Sequence, residues 1–132
     1  MNENAKKWVA ALRSGKYRQG RGALCRDDSF CCLGVACDVY QKEVGGMQVR
    51  QVANMVQFNG ETGVLPKVVR LWLGTFDENP DLVGADTNTC PLAARNDRGE
   101  SFESLADLIE KNAESVFEAA ATSSERSEVN DA

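Results

Sequence analysis

The chain contains no histidine. Ser-His-Asp and Cys-His catalysis, His-ligated zinc and the His-Glu-x-x-His metalloprotease helix are therefore excluded within it. No apolar run approaches the roughly 20 residues that a membrane helix needs, so no membrane partner is expected. The opening residues, Met1-Asn2-Glu3-Asn4, lack a basic region followed by an apolar one. No export signal is read there, and a cytoplasmic location follows. Cysteine is odd in number, at five, so a complete set of intramolecular disulfides is excluded. In the absence of an export signal the cysteines read as reduced thiols.

At 132 residues, with 42% hydrophobic and 27% charged content, the chain reads as one globular domain, residues 1–121, followed by a disordered tail, 122–132. The tail is read from composition: Ser, Thr, Glu and Asn there cannot bury surface. Charge is unevenly placed. Residues 1–26 hold seven bases against a single acid, Glu3, while residues 27–132 hold eight bases and nineteen acids. A basic N-terminal segment on an acidic body can attract phosphate or nucleic acid, or dock on the protein's own acidic surface.

The densest apolar stretch is Ser29-Phe30-Cys31-Cys32-Leu33-Gly34-Val35-Ala36-Cys37-Asp38-Val39-Tyr40. Phe30–Cys32 reads as a strand end feeding a helix from about Leu33 to Gln41. Leu33, Ala36, Cys37 and Tyr40 share one helical side, with Val35 and Val39 beside them, so the element is central. Adjacent cysteines and a five-residue step do not make the two Cys-x(2–4)-Cys pairs of structural zinc. No metal and no cofactor are expected. The cysteines read as small apolar packing groups. Asp38 is the one member of this stretch that the core reading leaves unexplained.

Elsewhere, Asn2 or Asn4 caps a first helix carrying Trp8, Val9 and Leu12 on its apolar face. Tyr17–Leu24 reads as extended and Arg26–Ser29 as the turn of a hairpin onto Phe30–Cys32. A strand at Val56–Phe58 is expected to turn at Asn59-Gly60 and return through Val64-Leu65. Gln48–Asn54 stays open between strand and loop. Pro66 opens a short helix that Gly74 closes, with Trp72 in the core. Residues 75–91 read as a solvated loop, because the acids there lack the glycine and final glutamate of a calcium loop. Ser101 caps a long C-terminal helix through Phe102, Leu105, Ala106, Ile109, Ala113, Val116 and Phe117. The expected class is α+β: a small antiparallel sheet made of hairpins, packed by three to four helices.

The best anion-site candidate is Arg18-Gln19-Gly20-Arg21-Gly22. Two glycines expose backbone N–H groups beside guanidinium forks. It lacks the Gly-Lys-Ser/Thr ending of a Walker loop. Its plain alternative is a bulged strand with solvated arginines.

Four blocks carry a family resemblance: Trp8…Leu12…Ser14-Gly15…Tyr17…Gln19; Phe30-Cys31-Cys32-Leu33-Gly34-Val35…Cys37-Asp38; Leu65-Pro66…Trp72-Leu73-Gly74; and Asn96-Asp97…Gly99…Ser101-Phe102…Ala106…Ile109. Over about residues 6–111 the chain resembles a family of small phage and prophage proteins. The resemblance brings no catalytic residues with it. It implies an accessory protein acting in the cytoplasm of an infected host, which counters host defence by binding. The target is then either an anionic small molecule, such as a nucleotide signal, or a host protein. The ligand-binding candidates are Arg18, Gln19, Arg21, Asp38, Asn96 and Asp97. One alternative is a small enzyme acting on a nucleotide through carboxylate or cysteine chemistry. Another is a nucleic-acid-binding module using the basic segment. The negative total charge and the few aromatics outside core positions count against nucleic acid as the partner. A homo-oligomer stays open.

Overall fold

A computed structural model describes residues 1–80 and 91–118. The expected tail at 122–132, most of the expected loop and Cys90 lie outside the described residues.

Helix α1 (Glu3–Arg13) starts where the Asn2 side chain accepts from the Ala5 N–H at 2.7 Å, satisfying one of the open donors of its first turn. Its buried face is Ala5, Trp8, Val9 and Leu12, the i, i+3, i+4, i+7 pattern. Strands β1 (Cys25–Arg26) and β2 (Ser29–Phe30) form a minimal hairpin. Asp27 and Asp28 both have positive φ, 52° and 62°, as the primed two-residue turn requires. Helix α2 (Cys32–Glu43) follows immediately. Strands β3 (Val49–Val52) and β4 (Met55–Phe58) pair antiparallel, Val49 opposite Phe58 and Val52 opposite Met55. Arg26 opposite Met55 joins the two hairpins into one antiparallel sheet of order β2-β1-β4-β3. Helices α3 (Lys67–Leu73), α4 (Leu92–Asp97), α5 (Phe102–Lys111) and α6 (Ala113–Val116) complete the described fold. The class is α+β, with six helices among the described residues. None of these helices is long and apolar enough to cross a membrane.

The core is centred on α1 and the first half of α2. Trp8 is fully buried, and its indole N–H donates to the Cys32 carbonyl at 2.9 Å. Cys32 through Cys37 are all buried, so this stretch is the central packing element that its apolar density predicts. Gly34 is required at its position. A Cβ there would lie 1.8 Å from the Leu24 carbonyl oxygen, so only glycine lets α2 rest directly on the backbone leading into β1.

Five expectations need correction. Tyr17–Leu24 is not a strand. It is an irregular segment pinned to β2 through the Gly20 N–H to Phe30 O (2.7 Å) and the Phe30 N–H to Arg18 O (2.8 Å). Gly22, with φ of 78°, turns it away from extended geometry. Strand β2 stops at Phe30, because Cys31 already serves as the helix N-cap. Strand β4 pairs with β3, not with Val64-Leu65. The Asn59-Gly60 turn exists but closes Phe58 onto Glu61 only, and Leu65 N–H then donates to Glu78 O at 2.9 Å. The C-terminal helical stretch breaks at Asn112, whose side chain donates to the Leu108 carbonyl at 2.9 Å and ends the α5 turn. Beyond α6, Phe117 is extended and bridges Thr75, and its ring meets Trp8 edge-on at 6.2 Å. Trp72 is half-buried rather than in the core, against Tyr40 at 5.4 Å.

Candidate functional site

The six residues singled out by sequence fall into three places. Gln19, Asn96 and Asp97 come together. Asn96 ends α4 fully buried. Its carbonyl oxygen accepts from the Gln19 amide at 2.7 Å and the Cys32 N–H at 3.2 Å. Its amide donates to Gly20 O at 2.8 Å and to Asp97 Oδ1 at 3.3 Å. Both lone pairs and both N–H groups of Asn96 are thus matched within the protein. Gln19 also donates to Glu100 O at 2.7 Å and accepts from the Phe102 N–H at 3.2 Å. Asp97 accepts from the Gly22 N–H at 2.9 Å. Together these bonds fasten the irregular segment to α4 and to the starts of α2 and α5. Asn96 leaves no surface for a ligand, and its place is that of a positioning residue.

Arg18 and Arg21 lie on the outside of that segment, both exposed. Arg21 lies across Gly99, where a Cβ would come within 3.0 Å of its guanidinium. Arg26 reaches back to the Arg21 carbonyl at 2.6 Å. This is an open arginine surface next to Asp97, which accepts from the Gly22 N–H.

Asp38 is separate from both groups. Its carboxylate accepts from the Tyr17 hydroxyl and faces Lys42 Nζ at 3.0 Å. Arg18 and Arg21 are not its partners. Burial, then the hydrogen bond to Asp38 and its charge, push the Tyr17 phenol up to about 12. The same carboxylate raises Lys42, whose ammonium lies 5.6 Å from the Tyr17 ring centre. Tyr17 and Lys42, both held by Asp38, line a groove of about 410 Å³ between α1 and α2. Small side chains, Ala10, Ala11 and Val39, make its floor, and Lys7, Lys16 and Lys42 stand at its edge. Lys7 is held by Glu43 at 2.7 Å. Lys16 makes no ion pair among the described residues. The volume lies within the roughly 300–1,000 Å³ typical of small-molecule sites.

Sequence reasoning missed the groove. Lys7 and Lys16 were counted in the basic N-terminal excess, but that count carries no position. Tyr17 was read only as an extended residue, and Lys42 lies just beyond the apolar stretch that ends at Tyr40.

Cys25, Cys31, Cys32 and Cys37 are free and buried. Burial pushes the Cys31 thiol up to about 11, and Cys32 and Cys37 well above the usual range. The thiolate is the reactive form, so these groups stay protonated and act as packing. Among the described residues no three of Cys, Asp and Glu converge to hold a metal ion.

The family described as a domain of unknown function (DUF8296) matches residues 1–113, and the chain belongs to it. Neither a curated protein nor a solved structure matches the chain.

Proposed function

We propose that this member of the DUF8296 family is a phage-encoded accessory protein that counters host defence by binding, sequestering an anionic nucleotide signal in the lysine-edged groove. The observation that carries the reading is the charge of that groove. Three lysines and one acid, Glu43, line it, and Asp38 backs Lys42 at 3.0 Å, so the site keeps one unmatched positive charge, that of Lys16, on a chain whose net charge is −5. A concave positive site on an acidic body concentrates anions locally and excludes other acidic surfaces. The phage context comes from the resemblance of the Phe-Cys-Cys-Leu-Gly-Val and Asn-Asp…Gly…Ser-Phe blocks. Binding is favoured over thiol chemistry because burial holds the described cysteines protonated.

A second reading, inhibition of a host protein, draws on the exposed apolar side chains Val44 (56%), Leu71 (56%) and Phe76 (50%). Exposed apolar side chains mark an interaction site where they adjoin.

The test is depletion and release. The purified protein is incubated with cyclic dinucleotides, cyclic ADP-ribose isomers and nucleoside monophosphates, then heated. Intact nucleotide recovered from the heated protein supports sequestration. A chemically altered product overturns it in favour of the enzyme. No depletion of any nucleotide overturns it in favour of a protein target.

A further inference from the structure

We infer that the groove takes a nucleoside phosphate of mononucleotide size, read in two parts: a planar base on the floor of Ala10, Ala11 and Val39, and a phosphate on Lys16 and Lys42. This rests on the anion-binding reading above and narrows it.

The floor and the charge lie at different places. Alanine at two successive positions of α1 leaves a surface without projecting side chains. A flat ring system can lie there and lose apolar area to the protein, whereas a compact inorganic anion gains nothing from it. The positive charge is not spread evenly along the edge. Lys7 is matched by Glu43 at 2.7 Å. Lys16 has no carboxylate partner among the described residues. Lys42 is matched by Asp38 at 3.0 Å, and the neutral Tyr17 hydroxyl that also donates to that carboxylate leaves its charge intact. The unmatched charge is therefore that of Lys16, which is where a phosphate belongs, with Lys42 lining the same groove. Asp38 acts on the ligand only through Lys42, by holding the ammonium at the groove wall. It is a positioning residue.

Charge narrows the class further. Of the groove's three lysines only Lys16 lacks a carboxylate partner among the described residues. One unmatched cation suits one phosphate and leaves the second phosphate of a dinucleotide without a partner.

The experiment is calorimetric titration of the full chain with adenosine 5′-monophosphate, adenosine, inorganic phosphate and a cyclic dinucleotide, at two salt concentrations. Adenosine monophosphate is expected to bind about tenfold or more tighter than adenosine or inorganic phosphate, and more weakly at higher salt. Lys16→Gln removes the unpaired charge, and Ala10→Trp fills the floor without altering charge. Both positions are exposed, so melting temperature stays near that of the unmodified protein. Each variant is expected to lose about tenfold in affinity for adenosine monophosphate. Asp38→Asn is expected to weaken binding less and to change its salt dependence. Inorganic phosphate binding as tightly as the nucleotide, or a cyclic dinucleotide binding more tightly, overturns the two-part inference and leaves the anion reading standing. No binding by any of the charged ligands overturns both.

Discussion

Replacing Gly34 by alanine tests how the central helix is seated. The new Cβ would meet the Leu24 carbonyl oxygen at 1.8 Å, its carbonyl carbon at 2.6 Å and its Cα at 3.1 Å. All three are backbone atoms, so no side chain can rotate out of the way. Ordinary contact begins at 3.4 Å, so the two backbones must part by about 1.6 Å, the difference between 3.4 and 1.8 Å. That movement breaks the Cys31 N–H to Leu24 O hydrogen bond of 3.2 Å. It also opens the packing of Leu24 and Leu33, both fully buried. Overpacking costs about 1–3 kcal/mol, and a buried backbone pair left unmatched costs a further ~1–3 kcal/mol. Against this, alanine in a helix interior is better than glycine by ~1 kcal/mol. The net expectation is a loss of about 3 kcal/mol, a large part of the ~5–15 kcal/mol of a typical domain. Urea denaturation followed by tryptophan fluorescence reads it directly as a lowered midpoint at unchanged slope. If Gly34→Ala is as stable as the unmodified chain, or gains the helix-propensity increment, the close approach of α2 to Leu24 is wrong. The packing explanation of the Cys-Leu-Gly-Val block would then be wrong with it.

Three more expectations follow from individual contacts. Asn96→Ala removes the partners of the Gln19 amide, the Cys32 N–H and the Gly20 carbonyl, and is expected to cost ~2–4 kcal/mol in urea unfolding; a cost within ~0.5 kcal/mol would contradict its role as a fastener. The Tyr17 phenol, raised from 10.0 to about 12 in the folded chain, contributes stability that is complete below pH 10 and is lost as pH rises from 10 through about 12. With the phenol only partly buried, screening leaves ~1 kcal/mol of that contribution, and Asp38→Asn is expected to move the ultraviolet phenolate titration down toward 10; an unchanged titration curve would break the link between Tyr17 and Asp38. Truncation after residue 113 removes Val116 and Phe117, both buried, and uncovers the Trp8 edge. It is expected to cost ~3–5 kcal/mol and to shift tryptophan emission to the red, even though the family match ends at 113; an unchanged spectrum and midpoint would show that the last extended residues are dispensable.

The helices were legible because their signals are local. Asn2 and Ser101 cap, Gly74 stops with φ of 81°, and the apolar residues recur at helical spacing. The first hairpin was centred correctly because Asp27-Asp28 is itself a turn signal. The sheet's other pairing was not legible. The strong Asn59-Gly60 signal marks a turn, but not which strand lies across from β4, and the operative turn at Ala53-Asn54 has an alanine at φ of 56°, a conformation that alanine rarely adopts. Helix α4 is six residues long, too short for periodicity to reveal it. The candidate site divides in the same way. Gln19, Asn96 and Asp97 were named among six ligand-binding candidates and meet in the fold, yet sequence could not tell a satisfied buried amide from a ligand-binding one. The groove joins Lys7, Lys16 and Lys42 across two helices, and only the packing of α1 on α2 reveals it.

The central claim is that an anionic nucleotide binds between α1 and α2. Amide chemical-shift mapping tests it most directly, because it reports position as well as binding. Adding adenosine 5′-monophosphate to isotope-labelled protein is expected to shift amides of residues 7–17 and 39–43, and to leave Gly22, Gly99 and strand β3 unmoved. Shifts confined to Arg18–Gly22 and Arg98–Gly99 would place the site on the arginine surface and contradict the groove. No shifts at saturating nucleotide would contradict the claim altogether.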